Sequence, residues 1–94
     1  MRITAELSLY PLRGDALGAI LAFIDELRHD ARLEVAVNQM STQIRGELRD
    51  VMGALTRALE RSFAAGEPQA LVAKILSSDL PIHAPPDLER RARP

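Results

Sequence analysis

Residues 3–10, ITAELSLY, alternate with period two: Ile3, Ala5, Leu7 and Leu9 fall on one side, Thr4, Glu6, Ser8 and Tyr10 on the other. This is the pattern of a strand buried on one face. Pro11 ends the run, and Asp15 is the predicted N-cap of a helix. Leu17, Ile20, Leu21, Ile24 and Leu27 recur at helical spacing and predict its buried stripe, with Asp25, Glu26, Arg28 and Asp30 in water. Alternation returns in residues 33–38, LEVAVN, with Leu33, Val35 and Val37 inward. A turn over Gln39–Ser41 leads into a short arm, residues 41–45, with Thr42 and Ile44 inward and Ser41, Gln43 and Arg45 outward; Gly46 is expected to stop it. Leu48, Val51, Met52, Leu55, Leu59, Ser62 and Phe63 mark a second amphipathic helix, closed near Gly66. Gly53 inside that helix costs roughly 1 kcal/mol relative to alanine, for which a close helix–sheet approach is the expected reason. Residues 70–78, ALVAKILSS, read as a last strand, with Leu71, Ala73 and Ile75 toward the core and Val72, Lys74, Leu76 and Ser78 away from it.

The order is therefore βαββαβ. Two helices so placed pack on one face of a four-stranded antiparallel sheet, an α+β fold of ferredoxin-like arrangement. Residues 1–78 form this domain. Residues 79–94, DLPIHAPPDLERRARP, have four prolines and no period, and are expected to form an extended tail. The helices cover one sheet face only. The other carries Thr4, Glu6, Ser8, Tyr10, Glu34, Asn38, Ser41, Gln43, Arg45 and Lys74, with Val72 and Leu76 as apolar patches. Such a face is either simply wetted, as antiparallel sheets tolerate, or it meets another subunit and encloses a small polar ligand.

Composition removes several function classes. The 94 residues hold 12 basic and 13 acidic side chains, so there is no electrostatic footprint for nucleic acid. Aromatics are scarce (Tyr10, Phe23 and Phe63), which argues against base stacking on the sheet. There is no cysteine, hence no disulfide framework, thiolate metal site or cysteine nucleophile. No apolar run approaches the ~20 residues of a membrane span, and the N-terminus lacks the pattern of a signal peptide. A cytoplasmic domain without membrane insertion is the expectation. His29 and His83 have no neighbour at catalytic or metal-ligand spacing, and no phosphate loop, nucleophile elbow or His-Glu-x-x-His string occurs. YPLRGD after the first strand supplies only Arg13 and Gly14 toward an acylphosphatase-like anion loop. No enzymatic activity and no cofactor are expected.

Two stretches carry a resemblance. AELSLYPL, Ala5 to Leu12, and MSTQIRG, Met40 to Gly46, are similar in sequence and relative position to motifs of the YkoF-like thiamine/hydroxymethylpyrimidine-binding family. The likeness covers about residues 3 to 78. It implies the ferredoxin-like fold, pairing of domains as a homodimer or homotetramer, and binding of thiamine or its pyrimidine moiety to supply a transporter or salvage partner. An aminopyrimidine offers a flat face, ring-nitrogen acceptors and an amino donor, and hydroxyls and amides complement that edge because they both give and receive hydrogen bonds. Ser8, Asn38, Ser41, Thr42 and Gln43 are the candidates. Tyr10 would cover a ring face, and Glu6 would pair with a protonated ring nitrogen or the thiazolium charge. Other uses stay open: Glu6 with Lys74 or Arg45 across the sheet, Tyr10 in subunit packing, Thr42 in satisfying a backbone group, and Gly46 in backbone geometry alone.

Overall fold

A computed structural model of the chain describes residues 1–89. Its elements run β1 (Arg2–Pro11), α1 (Ala16–Arg28), β2 (Glu34–Val37), β3 (Thr42–Glu47), α2 (Leu48–Ala64) and β4 (Gln69–Leu76). The sheet is antiparallel in the order β2-β3-β1-β4, so the fold is the ferredoxin-like βαββαβ arrangement. Ile3, Ala5, Leu7 and Leu9 are buried on the helix side of β1, as the alternation predicts, with Ile44 behind them on β3.

Asp15 caps α1 by accepting a hydrogen bond from the Gly18 amide at 3.0 Å. The buried stripe of α1 matches the predicted one only in part. Phe23 and Leu27 are buried and Ile20 packs against the core, whereas Leu17 and Leu21 are exposed. The sequence ALGAILAFI is apolar almost all round, so spacing alone does not choose a face. In α2 the buried residues are Val51, Ala54, Leu55 and Ala58, while Met52 and Phe63 stand largely in water. Large side chains (Phe23, Leu27, Val51, Leu55) and small ones (Ala54, Ala58) share the layer between helices and sheet.

Three local expectations need correction. β3 continues through Gly46 to Glu47. Gly46 is buried within the strand, and its role is a close approach, described below. Gly53 does not approach the sheet: a Cβ placed there would meet only the Arg57 guanidinium, 3.3 Å away. Val37 is half exposed: it ends β2, a short edge strand, and borders a hollow with Ile20 and Ile24 of α1. The edge position also decides β4. Its phase is the predicted one, with Ile75, Ala73 and Leu71 beside Ala5, Leu7 and Leu9, yet Ala73 and Ile75 are exposed because the helices lie over β1 and β3. Val72, Ile75 and Leu76 are each about half exposed, so β4 is bare on both faces.

An ionic knot joins the two helices at the end of α1. Asp30 receives the Arg32 backbone amide, Nε and Nη2 at 2.8–3.0 Å and Arg57 Nη2 at 3.1 Å. The Arg32 contacts, with the Arg57 charge beside them, pull the Asp30 carboxyl from the ordinary 3.8 down to about 2. A folded-state pKa below the unfolded one adds stability that is complete above the unfolded value and is lost as pH falls through the folded value. With the side chain only 11% exposed, the contribution is on the order of 1–2 kcal/mol. Asp30→Asn should cost that much in urea unfolding at neutral pH, and the difference from wild type should shrink steadily from about pH 4 to about pH 2. A difference unchanged across that window would show that the knot acts by packing alone.

Candidate functional site

The open sheet face is organised in cross-strand rows fixed by the register. Glu34, Arg45, Thr4 and Leu76 form one row; Ala36, Gln43, Glu6 and Lys74 form the next; Ser8 stands beside Val72, and Tyr10 beside Ala70. Glu6 is thus at the centre of the face, on an inner strand. Lys74 Nζ lies 3.1 Å from its Oε1, and the Ser41 hydroxyl donates to its Oε2 at 3.1 Å. Those two contacts, Lys74 first, hold the Glu6 carboxyl below the ordinary glutamate range. Glu6 is therefore ionised at neutral pH. Its side chain remains 39% exposed and that of Lys74 80% exposed, so the pair faces open space.

Residues after β4 turn back across this face. The Thr4 hydroxyl donates to the Ser78 carbonyl at 2.7 Å and accepts from the Leu80 amide at 2.9 Å. Arg45 Nη1 donates to the Leu80 carbonyl, and Arg2 Nε donates to Asp79 at 2.9 Å. This double use of one hydroxyl, with the tail above it, leaves Thr4 only 7% exposed although it points away from the helices. Arg45 is also held by Glu34: Nη2 donates to Oε1 at 3.1 Å, and Nε lies 2.7 Å from Oε2 as an ion pair without hydrogen-bond alignment. The Arg45 partner pushes the Glu34 carboxyl down. The tail therefore begins as a strap laid on the sheet. The basic end of the sequence, residues 90–94, lies outside the described residues.

Between strap and sheet is a cavity of about 1070 Å³. Glu6, Gln43, Lys74 and Asn38 line its sheet side, and Leu80, Ile82, Pro85 and Pro86 its strap side. A smaller hollow of about 380 Å³ opens beside the β2–β3 loop, bounded by Ser8, Tyr10, Ile20, Ile24, Ser41 and Thr42. The seven predicted residues divide between the two spaces. Glu6 and Gln43 face the larger; Ser8, Tyr10, Ser41 and Thr42 border the smaller; Asn38 touches both. Thr42 is buried on the helix side, opposite Leu7. Asn38 has a structural task as well: its Oδ1 accepts the Met40 and Ser41 amides at 2.8 and 2.9 Å, which fixes the loop that carries Ser41. Ser8, Tyr10 and Gln43 make no side-chain hydrogen bond among the described residues, so their polar groups are available to a ligand.

Thr4, Arg45 and the strap residues Leu80 and Ile82 are absent from the predicted site. The signal for them is faint: two apolar residues spaced by prolines in LPIHAPP, read from the sequence as an extended tail, whereas the segment turns there, with the Ala84 amide donating to the Pro81 carbonyl at 3.0 Å. Among the described residues no three His, Asp or Glu side chains are placed to hold a metal ion. No helix among them is long and apolar enough to cross a membrane.

A family model described as the YKOF-related family matches residues 2–83. The chain belongs to the YKOF-related family. The match runs past β4 to residue 83 and so takes in the start of the strap, Leu80 and Ile82 included. None of the curated proteins matches the chain. Among solved structures, a Streptococcus pneumoniae protein is similar at 23% identity and a TM-score of 0.78, with 85% of this chain and 90% of that one covered. A Methanocaldococcus protein is 22% identical with a TM-score of 0.73, over 96% and 91% of the two chains. A Thermotoga maritima protein, a candidate in thiamine biosynthesis/salvage, is 15% identical with a TM-score of 0.72, over 97% and 95%. At such identities these likenesses carry the fold.

Proposed function

We propose that this YKOF-related chain binds thiamine or its hydroxymethylpyrimidine moiety without catalysing a reaction, and holds it for transport or salvage. The site is the open sheet face. The observation that carries the reading is the central row: an ionised Glu6 between the Gln43 amide and Lys74, with the Ser41 hydroxyl on its other oxygen, facing a cavity large enough for a two-ring ligand. A carboxylate of this kind is a partner for a thiazolium or a protonated aminopyrimidine, and the amide and hydroxyls match the ring edge. Family membership and the Thermotoga relative's thiamine connection support the same choice. The end of the face that carries Ser8, Tyr10 and Val72 is where a second subunit would complete a homodimer or homotetramer.

The test is a calorimetric titration of the purified protein with thiamine and with hydroxymethylpyrimidine, beside a sedimentation run. One-site binding in the micromolar range is expected, and a Gln43→Ala variant should bind more weakly while unfolding like wild type. Absence of heat at millimolar ligand from folded protein would sink the reading. A second reading, an oligomeric regulatory or interaction module, is favoured by one feature: β4 has a free edge and exposes Val72, Ile75 and Leu76. It predicts self-association without any response to either ligand.

A further inference from the structure

The open face is half covered by the chain's own C-terminal segment. We propose that residues 80–86 form the roof of the binding site, so that one chain encloses a flat ring between an apolar strap above and a polar sheet below. The inference rests on the functional reading just given, and it adds a binding element to it. Three observations carry it.

First, the strap is anchored by specific contacts at its start. Thr4 Oγ1 is bonded on both sides, to the Ser78 carbonyl and the Leu80 amide, and Arg45 holds the Leu80 carbonyl. Beyond Leu80 the segment turns, the Ala84 amide donating to the Pro81 carbonyl at 3.0 Å, and residues of that turn line the cavity. Second, the chemistry of the two walls differs. The strap side presents Leu80, Pro81, Ile82, Pro85 and Pro86, rigid apolar groups suited to a ring face, and Ile82 is partly buried there. The sheet side presents Glu6, Gln43 and Lys74, groups suited to a ring edge and a positive charge. Third, prolines restrict the unbound strap, so little conformational freedom is left to lose when a ligand fills the space.

Thr4 and Arg45 are then positioning residues: they act on the ligand through the strap. Removing the clamp lowers the fraction of molecules with a closed roof, and apparent affinity falls by the same fraction. Thiamine affinity is measured for wild type, Thr4→Val, Thr4→Ser and Ile82→Ala, together with hydrogen exchange over residues 79–87 with and without thiamine. Thr4→Val should weaken binding by about tenfold, and Thr4→Ser, which keeps the hydroxyl, should restore it. Ile82→Ala, on the far side of the cavity from the core, should weaken binding with no change in unfolding. Thiamine should slow exchange across residues 79–87 in wild type. If wild type binds thiamine while Thr4→Val and Ile82→Ala bind equally well, or if thiamine leaves exchange in the strap unaltered, the roof is overturned and the functional reading stands. If wild type binds neither thiamine nor hydroxymethylpyrimidine, the functional reading falls and takes the roof with it.

Discussion

Glu6→Gln should lower thiamine affinity by about 10- to 100-fold and leave the fold in place. Glu6 is the central group of the open face, ionised because Lys74 and Ser41 hold its carboxyl down, and directed into the cavity. A hydrogen bond to a charged group contributes roughly 1.5–3 kcal/mol, which is the affinity loss expected when the carboxylate becomes an amide. Its existing partner contributes little to folding, since the Glu6–Lys74 pair faces solvent and is screened by it. Calorimetry and urea unfolding on the same preparation separate the effects. Unchanged affinity in a folded Glu6→Gln protein would remove Glu6 from the site; loss of both affinity and stability would make it a fold residue instead.

Gly46→Ala should destabilise the domain by about 1–3 kcal/mol. Gly46 is buried in β3 opposite Ile3, with ordinary strand geometry, so backbone freedom is not the issue. An added Cβ would lie 3.1 Å from Leu33 Cδ2 and 3.2 Å from the Arg32 carbonyl oxygen. Leu33 can shift; a backbone carbonyl beside the Asp30–Arg32 turn has little room to do so. The methyl group therefore pushes apart the β3 strand and the segment that leads from α1 into β2. Urea midpoints check this, with Gly53→Ala as the control. There the added methyl faces only the flexible Arg57 side chain, and the change should be neutral or stabilising by up to about 1 kcal/mol.

Gly46 also shows what the sequence does and does not reveal. The element order is legible because strands of period two alternate with longer stretches of helical period, and β1 is plain in phase because Ile3, Ala5, Leu7 and Leu9 sit on the inner strand that both neighbours pair with. Burial on the edges is not legible. The same alternation in Ala73 and Ile75 leads to solvent, since a pattern tells which face a residue takes and not whether a helix covers it. In α1 the spacing finds Leu27 and Ile20 but misses Phe23 and wrongly admits Leu17 and Leu21, because the first half of the helix is apolar almost all round. A glycine required by a carbonyl from a distant turn has no local signature at all.

For the site, the register brings Glu6, Gln43 and Lys74 into one row, as expected from their shared face. Two residues turned out to carry additional duties that spacing does not disclose. The Asn38 carbonyl oxygen shapes the loop, and the Ser41 hydroxyl is given to Glu6. The strap was out of reach because its prolines carry no period, and its anchors, Thr4 and Arg45, look like any other outward strand residues until a chain lies over them.

The Thr4 hydroxyl joins points that lie 76 residues apart in the sequence. Arg2 reaches Asp79 over a span of 77, and the amino terminus pairs with Glu47 at 3.0 Å. Contacts of such separation cannot form until the strands between them have paired, because the long loop must first be closed by the sheet. The hydroxyl meets the returning chain only where β4 already lies beside β1, since Thr4 pairs with Leu76 just before the strap begins. Docking of the strap therefore depends on the sheet beneath it, and loss of the β1–β4 pairing would release it.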